Sequence, residues 1–399
     1  MLNFYSASTR MANPDHAILE CLHTALGESK SFNECSLIIL NASIGHDLKP
    51  LHHACQQHCP NARIIGSSCA GIVGKEGVSE SMKDVAMMAI TGNEFSIFHA
   101  DDVNGCNTFE KSKQIGQRFA EENPDINMMY VIASGIDISN DQLILGLEAG
   151  YEKSVPIFGA NSSDSMKGIV SFQGLDSQIF EHSIVVVGFS DPSISVQTQA
   201  THGFIADGAP MTVTKSSANR IIELDNRPAW EVYSENLGLP ITASLGDSIP
   251  IGAMGVELDD ALAQEYGNTH ILNVVTHLDN QSLVFPINCP VGTKLWLTVR
   301  DEEKIFNDMD RMTQQLVSRM GGAKPIAVFQ ADCLARGRAL FNRIIKEELV
   351  QRMQFPFSDG TEVPAWLGMY GFGEFAYLGG RNRFHNYTTS LAVLYRKSE

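Results

Sequence analysis

Basic residues are scarce in this sequence. It holds 29 lysine and arginine residues against 46 aspartate and glutamate residues in 399, and its formal net charge is -17 at pH 7. Nucleic-acid-binding surfaces need clustered lysine and arginine to neutralise phosphates. The composition therefore excludes nucleic acid from the expected partners, and its 44% of hydrophobic residues is typical of a globular protein.

Long apolar stretches and a targeting segment are also absent. The N-terminal residues Met1–Ser6 show no basic segment followed by an apolar run, and no apolar run approaches the length of a membrane span. The eight cysteines follow no disulfide-framework spacing, which favours reduced thiols. We therefore expect a cytoplasmic protein without a membrane partner.

The common catalytic and metal-binding motifs are missing as well. The sequence contains no P-loop and no His-Glu-x-x-His zinc motif. The segment Gly66–Gly71 is not the nucleophile elbow Gly-x-Ser-x-Gly, because Ala70 stands where the closing glycine belongs. The interpretation is that the chain is not an enzyme, and a nucleophilic Cys69 or Cys333 is the alternative.

One pattern occurs twice in the N-terminal half. A β-branched run ends in glycine and small polar residues at Ile64–Val73 and again at Pro156–Asp164. Each copy follows one buried-strand pattern and precedes two more. Glycine at such a strand end lets a ligand or another strand approach closely. We predict two strand-helix-strand-hairpin repeats, about 34–103 and 127–204, with candidate ligand-binding residues Gly66, Ser67, Ser68, Cys69, Gly159 and Asn161.

The predicted fold is α/β, with two modules of mixed sheets and outer helices. Apolar residues at three- and four-residue spacing predict a helix over 12–28, and the repeats predict helices at 49–57 and 142–153. A further helix is expected near 108–121. A turn signal at Gly208–Pro210 places the module boundary near 212, which gives domains 1–212 and 213–399. The chain is expected to finish with two strands, Trp366–Tyr377 and Tyr387–Tyr395.

A cysteine in the C-terminal half lies where a predicted strand gives way to a helix. Cys333 precedes a helix expected to begin near Arg338, with Arg336 close by. A thiol at a helix N-terminus beside arginines should have a lowered pKa, which suits a redox, metal or anion site. The alternative is an inert cysteine packed under the helix.

The segment Tyr370–Glu374 places glycines at alternate positions of a predicted strand. Gly371 and Gly373 leave one strand face bare, and Glu374 is a candidate wall group with Arg336 as its expected partner. The segment is not a dinucleotide fingerprint, because the third glycine is missing and no helix follows.

Potential metal ligands are densest in the segment His52–Cys59 of the first repeat. Cysteine and histidine three or four residues apart share a helix face and could seat a soft metal. The preferred interpretation is that the cysteines fill the core and the histidines lie on the solvated face.

Taken in order, these motifs resemble the FIST domains, an N-terminal and a C-terminal module found in signalling proteins. The resemblance spans nearly the whole chain and depends on Gly66–Gly71, Phe158–Ala160, Arg227–Tyr233, Asp332–Phe341, Gly368–Phe375 and His385–Thr388. It implies a sensory, small-ligand-binding role. A chain with both modules and no fused output domain is similar to the bacterial subgroup that senses nitric oxide through haem b. This resemblance implies a partner histidine kinase or cyclic-di-nucleotide signalling enzyme.

A haem implied by this resemblance would be non-covalent, since no Cys-x-x-Cys-His motif occurs. It needs a neutral imidazole for its iron and cations for its propionates. His385, in a predicted turn with Arg381 and Arg383, offers both. The other candidate iron ligands are His202, His99 and His182.

We expect the strand ends at Gly66, Gly159, Cys333 and Gly373 to line one cleft between the modules. A ligand bound there would shift an equilibrium between module arrangements. Haem-dependent nitric oxide sensing is the first hypothesis. Haem-free sensing of amino acids or other small metabolites is the second, and a cysteine-dependent enzyme is the third. A second copy of the chain is a further expected partner.

Overall fold

Three similar units follow one another along the chain. The computed structural model describes residues 1–27, 30–337, 343–360 and 362–397. Each unit has an edge strand, a helix, a strand, a second helix, a second strand, a hairpin and a closing strand. The first unit contains β1 (Asn3–Thr9), α1 (Pro14–Leu26), β2 (Cys35–Ser43), α2 (Leu48–His58), β3 (Arg63–Cys69), β4 (Ile72–Gly74), β5 (Gly77–Ser79) and β6 (Val85–Thr91).

Local sequence explains where the helices of the first unit begin. The Asn13 side chain accepts a hydrogen bond from the backbone N–H of His16, and Pro14 occupies the first turn of α1. The Asp47 side chain caps α2 in the same way. The helices predicted at 12–28 and 49–57 are therefore confirmed, within a few residues at their ends.

The second unit repeats the first. It contains β7 (Phe95–Ala100), α3 (Thr108–Glu122), β8 (Met128–Ala133), α4 (Asn140–Tyr151), β9 (Ile157–Asn161), β10 (Gln173–Leu175), β11 (Gln178–Phe180) and β12 (Ile184–Phe189). The predicted duplication and the helices predicted near 108–121 and 142–153 are confirmed.

The third unit is interrupted by an insertion after its edge strand, β13 (Ile194–Thr201). The insertion contains β14 (Phe204–Ser217), β15 (Arg220–Leu224), β16 (Arg227–Pro228), α5 (Ala229–Asn236), α6 (Leu245–Ser248), β17 (Ala253–Glu257), α7 (Asp260–Tyr266), β18 (His270–Asn273), β19 (His277–Asp279), β20 (Ser282–Val284) and β21 (Lys294–Arg300). The unit resumes with α8 (Glu302–Arg319), β22 (Pro325–Cys333), α9 (Arg343–Gln354), β23 (Ala365–Gly371), β24 (Glu374–Leu378), β25 (Arg381–His385) and β26 (Thr389–Arg396). Short 3-10 turns lie at Phe32–Glu34, Leu334–Arg336 and Phe355–Phe357.

Three six-stranded sheets share one strand order. They run β1-β6-β2-β3-β10-β11, β7-β12-β8-β9-β24-β25 and β13-β26-β22-β23-β4-β5. The central pairs β2–β3, β8–β9 and β22–β23 are parallel, and the other neighbours are antiparallel. Each hairpin completes the sheet of another unit: β4–β5 joins the third, β10–β11 the first and β24–β25 the second. The mixed sheets are as predicted, but the third repeat was not foreseen in the sequence.

The inner faces of these three sheets pack on a common core. Phe329 of the third sheet lies 6.3 Å from Phe4 of the first and 4.9 Å from Tyr130 of the second, between ring centroids. The helices cover the outer faces, which confirms the predicted outer helices. None of the helices in the described ranges is both long and apolar enough to cross a membrane.

The insertion forms a separate sheet of order β18-β17-β21-β14-β15-β20-β19, with β16 paired to β15. The expected module boundary near 212 falls inside the continuous strand β14. β18 is an edge strand of the insertion sheet, and β25 is an edge strand of the second sheet. These two edge strands lie close to each other.

The predicted single strand Trp366–Tyr377 is wrong, because the chain changes sheets at Gly373. β23 belongs to the third sheet and β24 to the second. Gly373 has φ 153°, and a Cβ atom there would lie 2.1 Å from Cζ of Phe384. Only glycine accommodates both that backbone angle and that approach.

Candidate functional site

The strand ends singled out in the sequence meet where the three sheets come together. The Oγ atoms of Ser67 and Ser162 lie 2.8 Å apart, and Ser68 Oγ donates to the carbonyl of Ser163 at 2.9 Å. Ser163 Oγ donates in turn to the carbonyl of Tyr370 at 2.8 Å. These side chains are buried. The polar groups at these strand ends therefore bond to one another, and a ligand cleft lined by them stays a prediction.

The candidate glycines at these strand ends lie against neighbouring atoms. A Cβ atom on Gly66 would lie 2.3 Å from His52 Nε2, and one on Gly371 would lie 2.5 Å from the carbonyl oxygen of Asn161. Gly159 is similarly close to β8. Close packing accounts for these glycines, and a ligand contact stays a prediction for them. The thiol of Cys69 is also buried, which raises its pKa.

A buried polar cluster lies near these strand ends, in the third unit. We call it the Glu374 cluster, and its members come from β22, the turn after it, α7, β24 and β25. Glu374 and His385 are directly opposite on paired strands, and Tyr266 Oη lies 3.3 Å from His385 Nδ1. The members are Glu374, His385, Tyr266, Asp332, Cys333 and Arg336.

Arg336 pairs with Asp332 rather than with Glu374, which corrects the expected partner. Arg336 Nε lies 3.0 Å from Asp332 Oδ1, and Arg336 also donates to the carbonyl of His202 at 3.0 Å. Asp332 Oδ2 accepts from Gln330 and Thr389. Burial raises the pKa of Asp332, and the Arg336 charge opposes that shift.

The carboxyl of Glu374 lacks a comparable partner. Burial, and then the charge of Asp332, raises its pKa well above the usual range. The Thr388 N–H, the charge of Arg336 and the Cys333 thiol oppose this rise, but neither Glu374 oxygen has a well-formed hydrogen bond. The arrangement favours a protonated, uncharged Glu374.

The expected lowered pKa of Cys333 is wrong. Burial raises the pKa of this thiol well above its usual value, and the adjacent Glu374 carboxyl adds to the rise when it is ionised. A short 3-10 turn follows Cys333, so no long helix dipole begins there, and Arg336 is committed to Asp332. Arg338, the other expected influence, lies outside the described residues.

The four candidate iron ligands do not converge. His385 is in β25 rather than in the predicted turn; burial lowers its pKa to about 3, and its Nε2 atom lacks a partner. His202 is also buried, but Nε2 lies 2.9 Å from the carbonyl of His270 and Nδ1 accepts from the N–H of Phe204. His99 is half-buried, and His182 is exposed on a different segment.

Metal ligation has no support within the described ranges. They contain no group of three or more histidine, cysteine, aspartate or glutamate side chains arranged to hold a metal ion. In the His52–Cys59 segment, Cys55 and Cys59 are buried as expected, but His52 is buried too, and His53 is exposed. The solvated-face interpretation is therefore wrong for His52.

A groove of about 820 Å³ lies between α4 and the insertion. We call it the interdomain groove. One face of α4 forms a wall with Asp141, Ile144, Leu145, Glu148 and Glu152. The facing wall comes from β17 and β18. The edge strand β25 of the second sheet contacts both α4 and β18, and it contributes Arg381, Asn382, Arg383 and Phe384 to the lining. None of the twelve ligand-binding residues predicted from the sequence lines this groove.

Asn273 of β18 is the most unusual group in the groove. It is 1% exposed and lines the groove, and neither its Nδ2 nor its Oδ1 atom has a hydrogen-bond partner. An unpartnered buried amide costs about 1–3 kcal/mol, so such groups indicate a missing partner. Sequence reasoning missed Asn273 because its environment depends on the insertion fold.

The groove is linked to the Glu374 cluster through Asn386. The N–H of Asn386 donates to the carbonyl of Leu272 at 3.0 Å, and its Oδ1 accepts from the N–H of Val274 at 3.1 Å. These bonds hold β18 to the residue that follows His385. A change in the position of β18 therefore acts directly on the cluster.

Two family models match successive parts of the chain. The FIST N domain matches residues 36–227, and the FIST C domain matches residues 229–377. Together they cover most of the sequence, which confirms the domain resemblance found in the motifs. The α4 wall lies within the first match, whereas β17 and β18 lie within the second.

Related full-length proteins are themselves uncharacterised. MJ1623 of Methanocaldococcus jannaschii is 25% identical over 401 residues, which cover 93% of this chain and 75% of that protein. Rv0628c of Mycobacterium tuberculosis is 22% identical over 347 residues, which cover 85% of both chains.

Two similar solved structures are enzymes. The cyanuric acid hydrolase of A. caulinodans aligns over 100% of both chains with a TM-score of 0.40 and 8% identity. A chorismatase aligns over 99% of both chains with a TM-score of 0.36 and 8% identity. This finding contradicts the expectation that the chain is not an enzyme, which is therefore corrected. At these TM-scores the likeness assigns no activity.

Proposed function

Since the chain belongs to the FIST family, with a FIST N domain followed by a FIST C domain, we propose that it is a sensor that binds a small polar ligand in the interdomain groove. FIST domains are generally sensory ligand-binding domains. The observation that carries the proposal is Asn273, a buried amide without a partner in the wall of the groove. A ligand supplies the missing hydrogen bonds.

The position of the groove suits a sensor. α4 lies in the FIST N match and β17 and β18 lie in the FIST C match, so a bound ligand contacts both domains as well as β25 of the second sheet. A ligand that binds one arrangement of these walls more tightly shifts the population toward it. Through Asn386, that shift reaches His385 and the Glu374 cluster.

Haem-dependent nitric oxide sensing stays a prediction, and the groove does not fit a haem. Haem iron takes an axial histidine, cysteine, methionine or tyrosine. None of these residue types is among the groove-lining residues that the structure describes. His385 has an unpartnered Nε2 atom, but it is fully buried and is not part of the lining. The haem-free hypothesis, a sensor of small metabolites, is therefore the one we propose.

The partner that reads the sensor is proposed from the family resemblance alone. A histidine kinase or a cyclic-di-nucleotide signalling enzyme remains the proposed partner class. We propose that this partner detects a ligand-dependent change in the relative positions of α4 and β18.

The test is ligand binding to the wild-type protein and to a variant with a filled groove. Leu145 lies on the α4 wall and is 49% exposed, so Leu145→Trp blocks the groove at small cost to folding. Ile169→Trp is the matched control, because Ile169 is 72% exposed and does not line the groove.

Thermal shift against a metabolite library gives the first readout. We expect ligands that stabilise the wild type and Ile169→Trp but not Leu145→Trp. If every stabilising compound acts equally on Leu145→Trp, the groove is not the sensory site. A separate absorption spectrum after haem addition and desalting tests the haem hypothesis, and a retained Soret band would favour it over the present proposal.

A further inference from the structure

We infer that the ligand of the interdomain groove is an organic anion, and that Arg381 and Arg383 hold its carboxylate or phosphate group. This inference rests on the proposed function and names the ligand class for the same groove. Both arginines line the groove. They lie two residues apart on β25 and therefore project from the same face of the strand.

Arg381 and Arg383 differ in ion pairing from several other arginines of the described residues. Arg63, Arg220, Arg227 and Arg352 each form an ion pair with aspartate or glutamate. Within the described ranges no ion pair involves Arg381 or Arg383, and the buried Nε atom of Arg383 has no hydrogen-bond partner. The planar guanidinium group suits bidentate contact with a carboxylate or phosphate.

The electrostatic environment of Arg383 favours an added negative charge. Burial, and then the neighbouring Arg381 charge, lowers the pKa of Arg383, whereas Asp259 acts in the opposite direction. An anion bound between the two guanidinium groups compensates both the burial and the mutual repulsion.

Three of the four acidic residues that line the groove, Asp141, Glu148 and Glu152, lie on the α4 side, where Lys153 is the one lining cation that the structure describes. On β25, Asn382 and Phe384 alternate with the arginines; Asn382 donates to Glu148 of α4 at 2.8 Å. Phe384 packs in the apolar cluster that contains residues of α3 and α4. The arginines therefore face the insertion, away from α4, although Glu257 at the end of β17 also lines that side. This asymmetry places the anionic end of the ligand on the β25 and β18 wall.

Asn273 supplies the remaining polar contact on that wall. Its buried amide has a free donor and a free acceptor, and it shares a strand face with Ile271, which also lines the groove. The Nδ2 donor adds to the guanidinium donors around an anion, and Oδ1 is free for a hydroxyl or amine elsewhere on the ligand. Together these groups distinguish an organic anion from a bare inorganic ion.

The experiment is isothermal titration of the full chain with a defined panel. Succinate, citrate and glutamate probe carboxylates, glycerol 3-phosphate probes organic phosphates, and inorganic phosphate probes the bare anion. Glucose and putrescine are the neutral and cationic comparisons. Arg381→Gln and Arg383→Gln are the test variants. Arg118→Gln is the control, since Arg118 is exposed on α3 and pairs with Glu122.

We expect one or more organic anions to bind the wild type and Arg118→Gln, and to lose about tenfold or more in affinity in each test variant. Comparing the affinities of the carboxylates with that of glycerol 3-phosphate shows whether the groove prefers a carboxylate or a phosphate group. Binding of inorganic phosphate alone, or of no anion in the panel, overturns the inference.

The failure of this inference is distinguishable from the failure of the proposed function. If glucose or putrescine binds and Leu145→Trp abolishes that binding, the groove is a ligand site but its ligand is not an anion. If an anion binds equally well to Leu145→Trp, the groove itself is excluded. An anion whose affinity is unchanged by both arginine substitutions also overturns the inference.

Discussion

The second and third units place different chemistry at equivalent positions. Gln173 pairs with Ser67 across β10 and β3, and Glu374 pairs with Ala160 across β24 and β9, at the same register in the two sheets. The backbone around them is the same. The N–H of Ser134 donates to the carbonyl of Ser183 at 2.8 Å, and that of Cys333 donates to the carbonyl of Thr388 at 2.9 Å.

Hydrogen bonding separates the two positions. Gln173 Oε1 accepts from the N–H and Oγ of Ser183, and its Nε2 donates to Ser171. Glu374 makes no well-formed hydrogen bond through either oxygen. The amide of Gln173 thus has hydrogen-bond partners for both its donor and its acceptor. The buried carboxyl of Glu374 lacks such partners, which lowers the stability of the fold. Buried groups of this kind concentrate at functional sites, so the comparison identifies the third unit as the specialised one.

The largest expected effect comes from removing the Asp332–Arg336 ion pair, whose carboxylate is replaced by Ala133 at the equivalent position of the second unit. Asp332 corresponds to Ala133, since both pair with the first residue of the closing strand. Asp332→Ala leaves Arg336 buried without its carboxylate, and we expect a loss of about 3–5 kcal/mol in unfolding free energy. Urea denaturation measures it. The double variant Asp332→Ala, Arg336→Met should recover most of the loss, and no recovery would show that the pair is not the cause.

Placing the carboxyl of the third unit at the equivalent position of the second unit should cost less stability than loss of the Asp332–Arg336 ion pair. Gln173→Glu removes a donor to Ser171 and places a carboxyl where an amide was satisfied, so we expect a loss of about 2–3 kcal/mol near neutral pH. Gln57→Glu on the exposed face of α2 is the control. Equal denaturation midpoints for the two variants would mean that position 173 accepts a carboxyl freely.

The reverse change should stabilise the third unit. The folded pKa of Glu374 lies above its ordinary value of 4.5, so the folded chain retains a proton that the unfolded chain releases. Stability is then greatest below that value and falls as pH rises through the folded pKa, by up to about 1.4 kcal/mol per pH unit. Glu374→Gln removes this loss, and we expect a gain of about 1–2 kcal/mol near pH 7.

Urea denaturation across a pH series provides the measurement for Glu374→Gln. Asp332 also has a raised pKa, so a residual slope of the same sign should remain in the variant. A variant that is less stable than wild type at every pH would contradict an uncompensated carboxyl at position 374.

The smallest effect is expected at position 385. His385 corresponds to Phe180 of the second unit, and its pKa is lowered to about 3 from 6.5. A neutral imidazole contributes stability that is present above the unfolded pKa and is lost as pH falls through 6.5 toward 3. On mild acidification, the unfolding free energy of His385→Phe should therefore fall by about 1 kcal/mol less than that of the wild type.

Acid titration of unfolding free energy tests this prediction. Burial also lowers the pKa values of His46, His52, His202 and His270, so an acid slope of the same sign remains in the variant. Identical acid slopes for wild type and His385→Phe would show that folding does not change the pKa of His385.

Local patterns in the sequence account for much of the fold. The apolar spacing of α1 and the matched strand ends at Gly66 and Gly159 predicted the first two units. The third unit escaped because an insertion of about a hundred residues separates its edge strand from its first helix. The change of sheet at Gly373 was not predicted, because a continuous β pattern in the sequence does not indicate which sheet each part of the segment joins.

The site was harder to predict than the fold. Sequence reasoning identified Glu374, Cys333 and His385 individually, and the structure brings them together. Their protonation could not be foreseen, because it follows from burial by distant segments such as α7. The groove was missed for a similar reason: Leu145 and Asn273 are far apart in sequence and become neighbours only through the insertion.

The exchange of hairpins among the units has a consequence for biosynthesis. The ribosome completes the second unit long before it makes β24, yet β9 has no outer neighbour until β24 arrives. β4 likewise waits for β23, nearly three hundred residues later. A nascent chain therefore carries unpaired strand edges through most of its translation, a state prone to aggregation. Its yield in cells should depend on chaperone capacity more than its final stability suggests.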